Sequence, residues 1–263
     1  MKRIIVTDLD GTLLDEHERI HSIDIDILQE IPDDVIFIPA SGRALSSIKH
    51  VFISNHCNLP EPFPFPVISL NGAMGFLPGE KTAFYHPLPN DLINEVLQQT
   101  DKYRQICFLF LDKQKAVMVN PTQFGMLGEI RYHFGSVPYQ PGIPLKDIAK
   151  IMCLSDDREA LQEYEHSVNH LDCSTAFSMD TIFEITPTGV NKGSGLMDLL
   201  SRLGLDDRFS IFGAGDGGND LEMLECANVR FASDQSPEYI RNRADRIYPY
   251  GSDLLNLMLN TPI

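Results

Sequence analysis

Asp8 and Asp10, in the stretch DLDGT, stand two residues apart just after the aliphatic run Ile4-Ile5-Val6. Side chains two apart on an extended segment point the same way, so both carboxylates can address one ligand. Two such carboxylates repel unless a cation holds them or one keeps its proton. Gly11 permits a sharp departure and a close approach of backbone to ligand, and the Thr12 hydroxyl can bond the resulting turn. Ser41, Gly42 and Arg43 follow a second aliphatic run in FIPASGRA. A small hydroxyl, a glycine N–H and a helix N-terminus make a seat for an anion. Lys192 opens a helix in ITPTGVNKGSGL, where a cation can neutralise an anion or steady a charged nucleophile. Asp216, Asn219 and Asp220 come in DGGNDLEML, a tight acidic loop suited to a hard cation such as Mg²⁺. Taken singly, each stretch also has an ordinary reading as a turn, a helix cap or a solvated lysine.

The elements that must position these residues follow from the apolar pattern. Continuous aliphatic runs at 3–8, 35–40, 66–70 and 209–214 suit strands of a parallel sheet covered on both faces. Helical patterns lie between them at 22–31, 43–53, 192–203 and 219–227, which predicts a doubly wound α/β domain with a Rossmann-like parallel sheet. Ligands of such sheets sit at the carboxyl ends of the strands. All four chemical stretches fall there, and their joint position outweighs the weakness of each.

The middle of the chain reads differently. It predicts helix 90–101, paired strands 105–112 and 115–120, helix 121–134, strand 147–154, helix 157–169 and strands 172–178 and 181–185. Strands joined by short turns, as in FLFLDKQKAVMV, imply antiparallel pairing. The expected organisation is a discontinuous core, 1–77 with 187–263, interrupted by an α+β cap domain over 78–186. Phe108 and Phe110, with Leu109 and Leu111, read as that domain's sheet core. Asp156-Asp157 reads as the cap of helix 157–169.

The chain has 263 residues, 43% of them hydrophobic, and a formal charge of −16. Such an acidic balance opposes nucleic acid as a partner, because phosphate backbones reward clustered Lys and Arg. Absence of a long apolar run argues against a membrane segment or signal peptide. Five scattered cysteines without CxxC spacing read as reduced thiols of a cytoplasmic protein. The eight histidines show neither HxH nor HExxH spacing, so none is a candidate metal ligand.

DLDGTLL, SGR, Lys192 and GDGGND, in this order, resemble the four signature motifs of the haloacid dehalogenase-like phosphatases. The insert between the second and third resembles the large α/β cap of the Cof-type branch, and SLNGAMGF at 69–76 is similar to the stretch that leads into it. The resemblance implies a Mg²⁺-dependent phosphatase with Asp8 as nucleophile and Asp10 as general acid and base. It further implies that Ser41 and Gly42 hold the phosphoryl oxygens, while Lys192 bridges phosphate and nucleophile. Mg²⁺ would be bound by Asp8, the Asp10 carbonyl and Asp216, with Asp220 supporting its water shell. Asn219 would contact the phosphate, with Arg43 and Asn71 near the phosphate or leaving group. Where the family often has Gly-Asn-Ala, this chain has VRFASDQSPEYI, with Ser233 and Asp234 in that place. Small monophosphates, hexose phosphates first, are the expected substrates, selected by the cap. A sugar phosphomutase of the same superfamily and a receiver-like signalling module are the alternatives.

Overall fold

The computed structural model describes residues 2–113, 115–132, 135–205 and 209–262. The chain divides into two units, Met1–Phe84 with Asn191–Ile263, and Tyr85–Val190. The first unit is built on a five-stranded sheet in the order Arg246–Tyr248, Val229–Ser233, Phe209–Ala214, Lys2–Thr7, Val35–Pro39, parallel at every pairing. Ile4, Val6, Ile38 and Ala40 on one face of this sheet pack with Leu196, Leu199 and Leu200 from helix Lys192–Arg202. Burial on both faces explains the unbroken aliphatic runs.

The expected strand 66–70 does not become a full member of the parallel sheet. Val67–Ser69 pairs antiparallel with Met74–Leu77 and touches the parallel sheet through a single bridge, Ala40 to Ile68. Leu70 and Asn71 both take positive φ, 52° and 56°, which turns the chain back at once. The hairpin continues into Lys81–Tyr85, and Phe84 packs among the first unit's core residues. Phe84 is the last residue of the first unit's opening segment. Strands Val229–Ser233 and Arg246–Tyr248 and helix Leu254–Asn260 were outside the sequence expectation.

The second unit has a six-stranded sheet with Cys173–Met179, Ile182–Pro187, Lys150–Leu154, Cys107–Leu111, Ala116–Val119 and Val137–Pro138 as neighbours in turn. Phe108, Phe110, Ile151, Phe183 and Ile185 project from one face into a core with Leu92, Ile93, Val96, Leu161 and Tyr164, supplied by helices Asn90–Gln99 and Arg158–Val168. Asp157 caps the latter by accepting the Ala160 N–H at 3.0 Å. Helix Gln123–Tyr132 covers part of the remaining face, with Gly125 against Cys107; residues 133 and 134 of the expected helix lie outside the described residues.

The last helix of the first unit is held from both ends. Asp24, 1% exposed, accepts the N–H groups of Leu255 and Asn256 at 3.0 and 3.2 Å. The Arg3 guanidinium donates to the carbonyls of Met258, Leu259 and Thr261 and stacks 4.4 Å over Phe212. Burial pushes the Asp24 carboxyl up to about 6, against the two N–H donors, which lower it. A folded value above the unfolded one means the folded state binds more protons between about pH 4 and 6, so this group's contribution to stability falls as pH rises through that window. Asp24→Asn keeps an acceptor without the charge. Its unfolding free energy from urea melts, relative to wild type, should rise from pH 4 to 7, by up to about 3 kcal/mol. A pH-independent difference would contradict this assignment.

Candidate active site

Each nominated residue of the first unit emerges at the carboxyl edge of the parallel sheet or in a turn beside it. Asp8 follows strand Lys2–Thr7 directly, its N–H donating to the Ala214 carbonyl at 2.9 Å. Lys192 is the first residue of its helix, whose N-cap Asn191 forms a reciprocal capping box with Ser194. The cap fixes where the helix begins. Gly72 (φ 93°) fixes where it sits: a Cβ there would come within 2.0 Å of the Asn191 carbonyl oxygen. The turn after Val67–Ser69 and the start of the lysine helix are therefore in backbone contact.

Lys192 Nζ donates to Asp8 Oδ1 and to Asp220 Oδ1, each at 2.6 Å. All three side chains are buried, Lys192 at 1% exposure and Asp220 at 0%. The other oxygen of Asp220 accepts the backbone N–H groups of Asp216 and Gly217 at 3.0 and 2.9 Å. Asp220 thereby ties the acidic loop to the lysine with both its oxygens engaged. Gly11 (φ 80°) lies against Asp216, where a Cβ would stand 2.4 Å from Oδ2, and Thr12 Oγ1 donates to Asp216 Oδ1 at 3.3 Å. Tyr248, buried, donates its hydroxyl to the Thr12 carbonyl at 3.2 Å. Thus DLDGT and the acidic loop, some 200 residues apart in sequence, form one surface.

The charge balance is uneven. Burial pushes the Asp8 carboxyl well above its usual range; Lys192 opposes this, and Asp220, Asp216 and Asp10 reinforce it. Burial, then Asp220, raises Asp216 to about 6, with Lys192 and Thr12 acting against them. Burial disfavours the Lys192 ammonium, but Asp220 and Asp8 outweigh it and keep the lysine charged. One lysine among several carboxylates leaves an excess of negative charge at this edge, which favours further positive charge.

Ser41, 1% exposed, accepts the Arg43 N–H at Oγ (3.2 Å), and its carbonyl accepts the Asn71 N–H (3.1 Å). Gly42 lies between them in the same turn. Asn219 Nδ2 donates to Asn71 Oδ1 at 3.3 Å. Arg43 was expected beside the phosphate or leaving group. In the structure its Nε and Nη2 fork onto Asp10, at 2.8 and 2.5 Å, and it is 5% exposed. The segment Ser233–Ser236 borders Asp216: Ser233, Gln235 and Ser236 line a cavity of about 340 Å³ with Gly11, Glu16, Asp216 and Tyr250.

Sequence reading missed Glu18, Asn55 and Tyr248. Glu18 Oε1 lies 3.6 Å from Arg43 Nη2, and Asn55 holds the Glu18 turn. Three separated segments meet here, and their only local signature is a turn after DLDGT.

A buried lysine between carboxylates thus lies at the carboxyl edge of a parallel sheet, where α/β folds place their ligand sites. The chain matches the model of the haloacid dehalogenase-like hydrolases over residues 5–253. It belongs to that family. Among curated relatives, it is 24% identical over 262 residues to the 5-amino-6-(5-phospho-D-ribitylamino)uracil phosphatase YitU of Bacillus subtilis, covering 92% of this chain and 90% of that one. It is 28% identical over 240 residues to the HMP-PP phosphatase of Escherichia coli, covering 88% and 84%. Among solved structures, TM0651 of Thermotoga maritima superposes with a TM-score of 0.85 at 22% identity, covering 100% of this chain and 98% of the other. The family assignment sets aside the receiver-like alternative. Among the described residues no helix is long and apolar enough to cross a membrane.

Proposed function

We propose that the protein is a Mg²⁺-dependent phosphomonoesterase that hydrolyses small phosphorylated metabolites, sugar phosphates foremost, through an aspartyl-phosphate on Asp8. The observation that carries this reading is the buried Lys192 bridge between Asp8 and Asp220. It holds one carboxylate oxygen of Asp8 and leaves Asp8 beside Asp216 in an acid-rich setting. Met1–Phe84 with Asn191–Ile263 would be the catalytic unit and Tyr85–Val190 the selecting one. The named relatives act on different phosphorylated compounds, which supports a small phosphorylated metabolite without singling one out. Five cysteines, none in a disulfide, support a cytoplasmic setting.

The residues fit a hard divalent cation. Carboxylate oxygens from Asp8, Asp216 and Asp220 lie within 4.8 Å of one another, and oxygen is the donor Mg²⁺ prefers. Asp8, Asp216 and the Asp10 carbonyl would hold it, with Asp220 steadying the loop and the ion's water shell. When bound, Mg²⁺ supplies charge that lets an anionic ester approach an anionic carboxylate.

Asp8 then attacks phosphorus, the bond to the leaving oxygen breaks, and Asp10 gives that oxygen a proton. Lys192, with Ser41, Gly42 and Asn219 around the phosphoryl oxygens, stabilises charge that builds in the transition state. In the second half Asp10 takes a proton from water as the water oxygen attacks phosphorus. The acyl-phosphate bond breaks, freeing inorganic phosphate and restoring Asp8. EDTA should abolish phosphate release from p-nitrophenyl phosphate, and added Mg²⁺ should restore it. Undiminished release in EDTA would refute the metal assignment.

A further inference from the structure

Asp10 is held by Arg43, and the structure shows what holds Arg43. The guanidinium reaches Asp10 through Nε and Nη2 at 2.8 and 2.5 Å. It also meets Glu18 Oε1 at 3.6 Å and donates from Nη1 to Ser47 Oγ at 3.4 Å. An arginine divided between two carboxylates has little freedom to swing, since leaving either one loses a charge-assisted contact.

Glu18 is itself locked. It adopts φ 59°, a conformation that costs a non-glycine residue free energy and persists where the surroundings enforce it. The enforcing group is Asn55, just beyond helix Leu45–Ser54. Its Nδ2 donates to the carbonyls of Glu18 (3.0 Å) and Val51 (2.9 Å), and its Oδ1 accepts the Ile20 N–H at 2.8 Å. Asp15 closes the same turn by accepting the N–H groups of His17 and Arg19 at 2.8 and 2.9 Å. Asn55 thus holds the Glu18 backbone, the Glu18 carboxylate meets Arg43 as an ion pair at 3.6 Å, and Arg43 in turn forks onto Asp10.

We propose that Glu18 and Asn55 are positioning residues for proton transfer, fixing Asp10 through Arg43. This rests on the phosphomonoesterase reading, in which Asp10 protonates the leaving oxygen. A carboxylate displaced by a fraction of an ångström still leaves Asp8 and Lys192 in place to attack phosphorus. The loss therefore falls on the proton, and in kcat/KM, which reports the first half-reaction, it depends on the leaving group: an alkoxide needs that proton, whereas p-nitrophenolate departs without it.

The test compares wild type, Glu18→Gln, Glu18→Asp and Asn55→Ala on a hexose 6-phosphate and on p-nitrophenyl phosphate, with Mg²⁺. For Glu18→Gln, kcat/KM on the alkyl ester should fall about tenfold and on the aryl ester about twofold, with Tm near wild type. Glu18→Asp should recover part of the alkyl rate. Asn55→Ala should shift the alkyl-to-aryl ratio in the same sense; because Asn55 also ties a helix end, Glu18→Gln decides if that variant does not fold. Equal losses of kcat/KM on both esters, or an unchanged or raised alkyl kcat/KM in Glu18→Gln, would overturn the relay while leaving the phosphatase reading intact. A wild-type enzyme that releases phosphate from neither ester would overturn that reading and the relay with it.

Discussion

Asp8→Asn is expected to fold normally and to lose phosphate release by more than about 10³-fold, because a neutral amide oxygen is a far weaker nucleophile than a carboxylate. The substitution is nearly isosteric, and the amide oxygen can still accept a hydrogen bond from Lys192 Nζ, now 2.6 Å from Asp8 Oδ1. It also removes a charge that the fold tolerates at a cost: burial pushes the Asp8 carboxyl well above its usual range, with Asp220 and Asp216 adding to the repulsion. In EDTA the variant should therefore melt no lower than wild type. Circular dichroism melting and a p-nitrophenyl phosphate assay with Mg²⁺ check both halves. Wild-type-like turnover would remove Asp8 from the nucleophile's role; an unfolded variant would contradict the charge argument.

Lys192→Met should damage both stability and catalysis. The ammonium is 1% exposed and is shared by Asp8 and Asp220, both buried. Methionine fills similar space but leaves two buried carboxylates facing each other without their cation. Removing one partner of a buried ion pair costs about 3–5 kcal/mol. Added Mg²⁺ should restore part of the lost Tm, since a divalent ion answers the same carboxylates. Turnover should fall about 10²–10³-fold even in saturating Mg²⁺, because Lys192 would no longer stabilise charge on the phosphoryl oxygens. A variant as stable as wild type in EDTA would show that Asp220 and Asp8 do not need the lysine. Full activity would place the catalytic cation elsewhere.

Much of this site could be read before the fold because doubly wound sheets expose their strand ends in a stereotyped way. Asp8, Ser41 and Asp216 each follow a run apolar enough to mark a buried strand, and the helices beginning near Ser22 and at Lys192 carry regular apolar spacing. What escaped was set by contacts distant in sequence. Strands Val229–Ser233 and Arg246–Tyr248 are short, the first interrupted by Arg230 and the second opening on Arg246, so their alternation is too brief to register. Helix Leu254–Asn260 opens after Asp253, which makes no side-chain cap bond; its N-terminal acceptor is Asp24, some 230 residues away. Residues 66–70 were apolar enough for a parallel strand, but the positive φ angles at Leu70 and Asn71 turn them into a hairpin.

Arg43 shows the same limit at the level of chemistry. Beside Ser41 and Gly42 it reads as part of an anion seat. Its guanidinium forks onto Asp10, and the turn at Glu18, held by Asn55, brings a second carboxylate to it. Spacing along the chain identifies which groups share an edge. Which of them pair with one another depends on turns that no local pattern encodes.

The most direct test of the account is to acid-quench the Mg²⁺-loaded enzyme during turnover of p-nitrophenyl phosphate and map any phosphoryl group by peptide mass spectrometry. The account predicts one phosphoryl group on Asp8, and none in Asp8→Asn. Phosphate release without modification of Asp8, or a phosphoryl group carried on another residue, would contradict it.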